Sequence, residues 1–207
     1  ENLDHAIHGF LNQSNEFVDK VYHREEDINN VSHAITDYLV KSNQLSLPLA
    51  DQKILGSMFY VVNDIERIGD HAENFADYTK TEIKHNTGLT GDAKEEIKKM
   101  YTAVSKLLKL SLECFMEQDG VNKPEDKLAE IAILEASIDK MERRYQKHHI
   151  KRLAKGECEP RAGLLFSDML SELERIADHS VNIAYSMSDE DEDEILAAEN
   201  EALTAKN

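Results

Sequence analysis

Tryptophan is absent from this sequence, and proline, glycine and cysteine are scarce. Three Pro and eight Gly in 207 residues leave long stretches free of helix breakers. No convincing run of alternating polar and apolar residues predicts a strand, whereas helix-favouring Ala, Leu, Glu, Lys and Ile are abundant. The sequence therefore predicts an all-α fold, with enough chain for one large domain or for two of roughly 100 residues.

Positive charge and long apolar runs are also in short supply. Against 41 Asp and Glu stand 24 Lys and Arg, which gives a formal net charge of −17. Because clusters of Lys and Arg bind the phosphate backbone, this balance argues against a nucleic-acid partner. The two cysteines make no disulfide framework and suit a reducing compartment. No apolar run approaches the length that crosses a bilayer, so we expect no membrane insertion by this chain.

One phrase occurs twice, 108 residues apart. Residues 63–76 read NDIERIGDHAENFA and residues 171–184 read SELERIADHSVNIA, with identity at seven of fourteen positions. Candidate helix breaks at Pro48, Gly88, Pro124 and Pro160 divide the chain around these phrases. The predicted helices are a short one before residue 14, then 14–42, 49–84, 92–117, 125–155 and 160–188.

This pattern predicts two tandem three-helix bundles related by an internal repeat. We place the first unit at residues 1–88 and the second at 89–188. Residues 189–207 are predicted to be a flexible, solvated tail, because the last twenty residues hold eight acids and one Lys. The first helix is short and the chain begins without Met, so we expect a fragment of a longer protein, truncated at the front of helix one.

The repeated acids lie on one side of their helices. At 100° per residue, Glu66 and Asp70 are about 40° apart and oppose an apolar stripe that includes Ile65. Glu174 and Asp178 have the same arrangement in the second copy. Like charges one turn apart destabilise a helix by roughly 0.2–0.5 kcal/mol, so a compensating partner is expected.

A second set of acids precedes each repeated phrase by one helix. Glu135 and Asp139 have the same spacing in the second unit, while the first offers Glu25 followed by Asn29. Two adjacent helices then present carboxylates to a shared surface groove, a set of oxygen ligands that suits magnesium, calcium, manganese or ferric iron. The alternative is a solvated acidic face, with Arg67 and Arg175 as local ion-pair partners.

Several histidines accompany these acids. His71 and His179 follow the repeated Asp but point about 100° away from it, which favours supporting or interface roles over ligation. The pair His148 and His149 has no evident partner, and we predict both as surface residues.

The repeated phrases resemble the signature of the PhoU family of phosphate-uptake regulators, carried here by residues 66–71 with Asn74 and by residues 149–184. The resemblance implies two similar three-helix bundles with multinuclear iron or zinc clusters on their surfaces. Asn29 departs from the family pattern, which puts full occupancy of the first unit in doubt. The implied metal ligands are Glu66, Asp70, Glu174, Asp178, Glu135, Asp139 and Glu25.

Residues 149–184 look most like the cytosolic C-terminal PhoU-like region of bacterial sodium/phosphate cotransporters. The element SLPLADQKIL, at residues 46–55, also lacks the Leu-Arg that is typical of stand-alone members. The resemblance thus implies a soluble regulatory domain at the cytoplasmic face of the inner membrane, joined in the same polypeptide to a transporter membrane domain. It is also compatible with phosphate binding at the metal and with formation of a homodimer.

Three other functions stay open. The alternatives to the cotransporter domain are a stand-alone regulator of the same family, a metal-free helical interaction scaffold, and a ferritin-like carboxylate-metal oxidase. The oxidase requires Glu-x-x-His twice, and the only such spacing we identify is Glu82 to His85, at a helix end. We therefore predict a non-enzymatic protein with no catalytic residues.

Overall fold

The computed structural model describes residues 1–85, 88–117 and 124–187. Within these ranges the secondary structure consists of α-helices without strands, which confirms the predicted all-α class. The tail predicted at residues 189–207 lies outside the described residues. The helices are α1 Asn2–Asn12, α2 Asn15–Ser42, α3 Leu49–His85, α4 Gly91–Glu117, α5 Glu125–Ala154 and α6 Pro160–Tyr185.

The turns between helices follow from local sequence. Gln13 adopts a left-handed conformation with φ 52°, which ends α1 and lets α2 start at Asn15. At the end of α5, Gly156 has φ 69°, a conformation that glycine adopts at little cost. Pro160 then occupies the first turn of α6, where its missing N–H is not needed.

The six helices form two three-helix bundles, as predicted. Helices α1, α2 and α3 contact one another, and α4, α5 and α6 do the same. The bundles meet mainly along α3 and α6, the two helices that carry the repeated phrase, and α1 also touches α4. The predicted unit boundary at residue 88 adjoins two residues outside the described ranges, and it stays a prediction.

A continuous apolar core runs through both bundles. Its largest fully buried members include Phe10 and Phe75 in the first bundle and Phe166 in the second. The stripe predicted on α6 is buried throughout, because Met169, Leu173, Ile176 and Ile183 are all inaccessible to solvent.

The first bundle is less well covered than the second. Ile65, predicted in the core stripe of α3, is 38% exposed, whereas its counterpart Leu173 is fully buried. The cause is the position of α1, which begins beside Arg24 and leaves the later part of α2 uncovered. Val31 and Ile35 of that part line an open apolar groove with Ile65.

None of the described helices combines enough length with enough apolar character to cross a bilayer.

Candidate metal sites

In the first bundle, α2 and α3 bring together the three acids predicted there. Glu25 of α2 lies close enough to Asp70 and Glu66 of α3 for their charges to act on it, and Glu73 joins them. Burial, then the negative charges of Asp70, Glu73 and Glu66, raise the pKa of Glu25 to about 7. The sequence did not predict Glu73, although it lies one turn after Asp70 on the same helix.

Glu25 is buried, contrary to the surface groove predicted from the sequence. Its side chain is 3% exposed, and Oε1 has no hydrogen-bond partner. Oε2 lies 3.5 Å from the Asn2 amide nitrogen of α1, and the Asn2 Oδ1 is likewise buried without a partner. Buried polar atoms are nearly always paired, so each of these two oxygens lacks a partner that such an atom ordinarily has.

The backbone of α3 makes room for this carboxylate at Gly69. A Cβ added to Gly69 would lie 2.4 Å from Glu25 Oε2 and 3.1 Å from Oε1. A real Cβ does not approach another atom that closely, so the Glu25 carboxylate occupies the space of the missing side chain. The second copy of the phrase has Ala177 at this position.

In the second bundle, α5 and α6 bring three of the predicted acids together. Burial raises the pKa of both Glu174 and Asp178, and the charge of Asp139 raises them further. Glu142, one turn after Asp139, also acts on Glu174. Glu135, the fourth predicted ligand, is half-buried one turn before Asp139 on α5.

The local ion pairs considered as an alternative are not found within the described ranges. Arg67 and Arg175 form no ion pair with the repeated acids there, although Arg175 acts to lower the pKa of Glu174. Asp139 is paired instead with Arg143, at 3.0 Å. Among the described residues, no three His, Cys, Asp or Glu side chains converge as they stand into a metal-binding group.

His71 and His179 occupy the interface between the bundles. His71 donates from Nδ1 to Glu172 Oε2 at 2.5 Å, and His179 donates from Nδ1 to Asp64 Oδ1 at 2.8 Å. The two imidazole rings stack, with centroids 5.5 Å apart. His71 thus binds Glu172, which lies seven residues before His179. In the same way, His179 binds Asp64, which lies seven residues before His71.

Glu172 receives a set of hydrogen bonds from α3. Asn74 and Tyr78 both donate to it at 3.1 Å, in addition to His71. Burial by itself raises the pKa of Glu172, but these donors lower it below the usual value for Glu. Glu172 is therefore a buried carboxylate held by three donors across the bundle interface.

The prediction that His148 and His149 are surface residues was wrong for His149. Its side chain is 6% exposed and lies under α6, where a Cβ added to Gly163 would come within 2.4 Å of it. His148 contacts Glu96 of α4 at 2.6 Å, and Arg152 donates to the same carboxylate at 2.8 Å. No local sequence pattern indicates these contacts, because the partners lie on other helices.

The Glu82 to His85 spacing does not form a ferritin-like ligand pair. Glu82 is fully buried and accepts a hydrogen bond from the Leu89 backbone N–H at 3.3 Å, whereas His85 is exposed. The two side chains therefore lie in different environments.

Comparisons with known sequences show matches over both bundles. The family model described as PhoU domain matches residues 1–79 and 97–187. The phosphate-specific transport system accessory protein PhoU homolog of Synechocystis sp. is 27% identical over 175 residues, with coverage of 82% of this chain and 72% of that protein. The PhoU homolog 1 of Thermotoga maritima, which carries the same accessory-protein name, is 22% identical over 184 residues, with 88% and 76% covered.

Solved structures show the same fold. PhoU from Pseudomonas aeruginosa superposes with a TM-score of 0.79 at 22% identity, over 90% of this chain and 86% of that one. The phosphate transport system regulatory protein PhoU from Streptococcus pneumoniae gives 0.76 at 21% identity, over 90% and 84%. At these identities the likeness concerns the architecture.

Proposed function

This chain belongs to the PhoU family, and on that premise we propose that it is a non-enzymatic regulator of phosphate transport or phosphate signalling. The two named relatives are accessory proteins of phosphate-specific transport, and they match most of the chain. They favour a free-standing regulator over the cotransporter domain predicted from residues 149–184. The cotransporter domain is the second candidate, supported by the residues of that stretch alone.

The proposed regulator holds metal ions at the two carboxylate clusters. The observation that carries this proposal is Glu25, a buried carboxylate with a partnerless oxygen that lies close enough to three further acids for their charges to act on it. Oxygen donors without His suit magnesium, calcium, manganese or ferric iron, and suit zinc less well. The site residues are Glu25, Glu66 and Asp70 in the first bundle and Glu135, Asp139, Glu174 and Asp178 in the second.

When bound, such an ion supplies positive charge and open coordination positions that phosphate oxygens can fill. The side chains of this protein transmit the effect of binding to its helices. Glu25 and Asp70 come from different helices, so an ion held by both side chains would tie α2 to α3. Asp70 also adjoins His71, whose hydrogen bond reaches the other bundle. A change at the first cluster therefore has a direct path to the bundle interface.

Metal binding is tested by calorimetry on chelator-stripped full chain with Mn²⁺, in the presence and absence of phosphate. We expect binding by the wild type and its loss in the double variant Asp70→Asn, Asp178→Asn, with helicity unchanged by circular dichroism. No Mn²⁺ binding by the wild type would favour the metal-free scaffold, and equal binding by the folded variant and the wild type would contradict the proposed ligands. An unchanged Mn²⁺ titration with and without phosphate would remove the proposed phosphate link.

The regulatory role is tested in a bacterium that lacks its own PhoU-type protein. We expect the full chain, expressed there, to alter the activity of a phosphate-starvation promoter. The Asp70→Asn, Asp178→Asn variant at matched expression is the control. A promoter response that is identical with and without the wild-type chain would contradict the proposal.

A further inference from the structure

Exposed apolar side chains of the described ranges are concentrated in the first bundle. Five large ones are distributed over α4, α5 and α6, whereas nine lie between residues 31 and 65: Val31, Ile35, Tyr38, Val40, Leu45, Leu49, Met58, Tyr60 and Ile65. Monomeric soluble proteins rarely expose large apolar patches, and such patches mark interaction sites. We propose that two copies of this chain pair through this part of α2 and α3, so that the two α2–α3 hairpins form a four-helix bundle.

The apolar side chains concerned form one face of the hairpin. On α2 their spacing is i, i+3, i+7 and i+10, and on α3 it is i, i+4 and i+7, so each set occupies one stripe of its helix. The two stripes border an open groove of about 290 Å³. We call this set the hairpin face: Ile28, Val31, Ile35 and Tyr38 of α2 with Met58, Val62 and Ile65 of α3.

The internal repeat shows how the second bundle covers the corresponding face. The three positions of α6 that correspond to the α3 stripe, 108 residues later, are all buried: Phe166, Leu170 and Leu173. There α4, with 27 residues, packs over α5 and α6. In the first bundle α1 has 11 residues and begins beside Arg24, short of the hairpin face. The hairpin face is therefore a helix-binding surface that no helix of the described ranges covers.

Charge favours a second copy as the occupant. Residues 28–62 hold two Asp and two Lys, so the rest of the chain carries the whole formal charge of −17. Two copies of so acidic a protein repel each other in most orientations. Contact through the hairpin face instead places a neutral segment of one copy against the same neutral segment of the other. At the end of the groove, Arg24 and Asp27 carry opposite charges. The apolar, uncharged complement that this face requires is thus supplied by the face itself.

Two-fold symmetry makes this pairing self-consistent, because the same patch serves on both copies. Two helical hairpins packed face to face bury their apolar stripes as the helices of a four-helix bundle do. From Ile28 to Tyr38 the face extends over roughly 15 Å of α2. This makes the interface small for a specific complex. We therefore expect a weak dimer, with a Kd of roughly 10–100 µM.

Sedimentation velocity of the full chain, from about 1 to about 300 µM, measures the association. EDTA is present throughout, so that ions bridging the acidic surfaces make no contribution. We expect a reversible change from the mass of one chain to that of two as the concentration rises. The double variant Val31→Asp, Ile35→Asp places like charges on both faces and should raise the Kd at least tenfold. Both residues are exposed in the single chain, so helicity by circular dichroism should be unchanged.

The matched control carries the same two charges on exposed apolar positions of α5. In Ile133→Asp, Ile150→Asp the hairpin face is intact, and we expect dimer formation as in the wild type.

Mixing distinguishes a second copy from any other occupant. The Val31→Lys, Ile35→Lys protein should stay a single chain by itself, because like charges again meet. An equimolar mixture of the Lys and Asp variants should form dimers, since each positive face then meets a negative one.

Three results would overturn the inference: the mass of one chain at every concentration, wild-type association of the folded Asp variant, or an equal loss in the α5 control. A mixture of Lys and Asp variants that stays monomeric would contradict it as well. Flotation with vesicles of phosphatidylglycerol and phosphatidylcholine tests another occupant. Flotation of a monomeric wild type, abolished in the Asp variant, would assign the face to a lipid surface instead. Because the measurements contain EDTA and no added phosphate, failure of the dimer leaves the proposed metal binding unaffected.

Discussion

His149 is a buried imidazole that no local sequence pattern identifies. Its ring lies 5.4 Å from that of Phe166, centroid to centroid, against the α6 surface that Gly163 leaves free. Burial, and then the positive charge of Arg152, lower its pKa, while Glu96 acts in the opposite direction. The folded protein therefore keeps this side chain neutral at a pH where the unfolded chain binds a proton.

This environment predicts a loss of stability in acid. As pH falls below the ordinary histidine pKa of 6.5, the unfolded state takes up a proton that the folded state refuses. The free energy of unfolding should decrease over that window, and it should decrease less steeply in His149→Gln. Urea unfolding between pH 7.5 and 5 measures the slope. Replacement of the exposed His33 by Gln is the matched control, and equal slopes for His149→Gln and wild type would contradict the prediction.

The sequence predicted those residues whose placement depends on a single helix. Glu66 and Asp70, or Glu174 and Asp178, share a face because they are one turn apart. The burial of Glu25 was not predictable in this way, because it depends on the absence of a side chain at Gly69 on another helix. Asp64 and Glu172 at the bundle interface were also missed, because their partners lie on another helix. Each of the two acids precedes a repeated histidine by seven residues.

The sequence predicted well where the helices end, but not which helix faces are buried by neighbouring helices. Pro160 and Gly156 delimit the α5–α6 turn, and such residues act locally. Whether Ile65 is covered depends on where α1 lies against α2, which apolar periodicity along α3 cannot reveal. The periodicity of α3 was therefore a correct guide to its faces and an incomplete guide to their burial.

The pairing of α3 with α6 is open to a double-mutant cycle. We expect His71→Gln and Glu172→Gln to show a coupling free energy of about 1–3 kcal/mol, because their hydrogen bond is charge-assisted and buried. The control cycle uses Lys106 and Glu130, an exposed ion pair at 2.8 Å, whose coupling should be near zero. Urea denaturation of the four proteins in each cycle supplies the values, and a coupling at the interface no larger than the control would refute the assignment.

The whole molecule should unfold as one unit despite its two bundles. The shared α3–α6 interface buries both histidine–carboxylate pairs, and separating the bundles would leave those groups unpaired. Native-state hydrogen exchange, followed by mass spectrometry in increasing urea, tests this. Peptides around Phe75 and around Leu173 should share one global opening free energy. Complete exchange of one bundle at lower urea, while the other stays protected, would show independent domains.

The contacts between His71 and Glu172 and between His179 and Asp64 are reciprocal. They resemble the interface of a two-fold symmetric dimer, in which residue i of one subunit contacts residue j of the other and the reverse contact also occurs. In a dimer of identical single bundles, the same phrase would supply both contacts, so one substitution in it would alter both of them. In a duplicated chain, each copy of the phrase can vary alone. One half of this interface consequently uses Asp64 and the other Glu172, an asymmetry that a dimer of two identical bundles could not have.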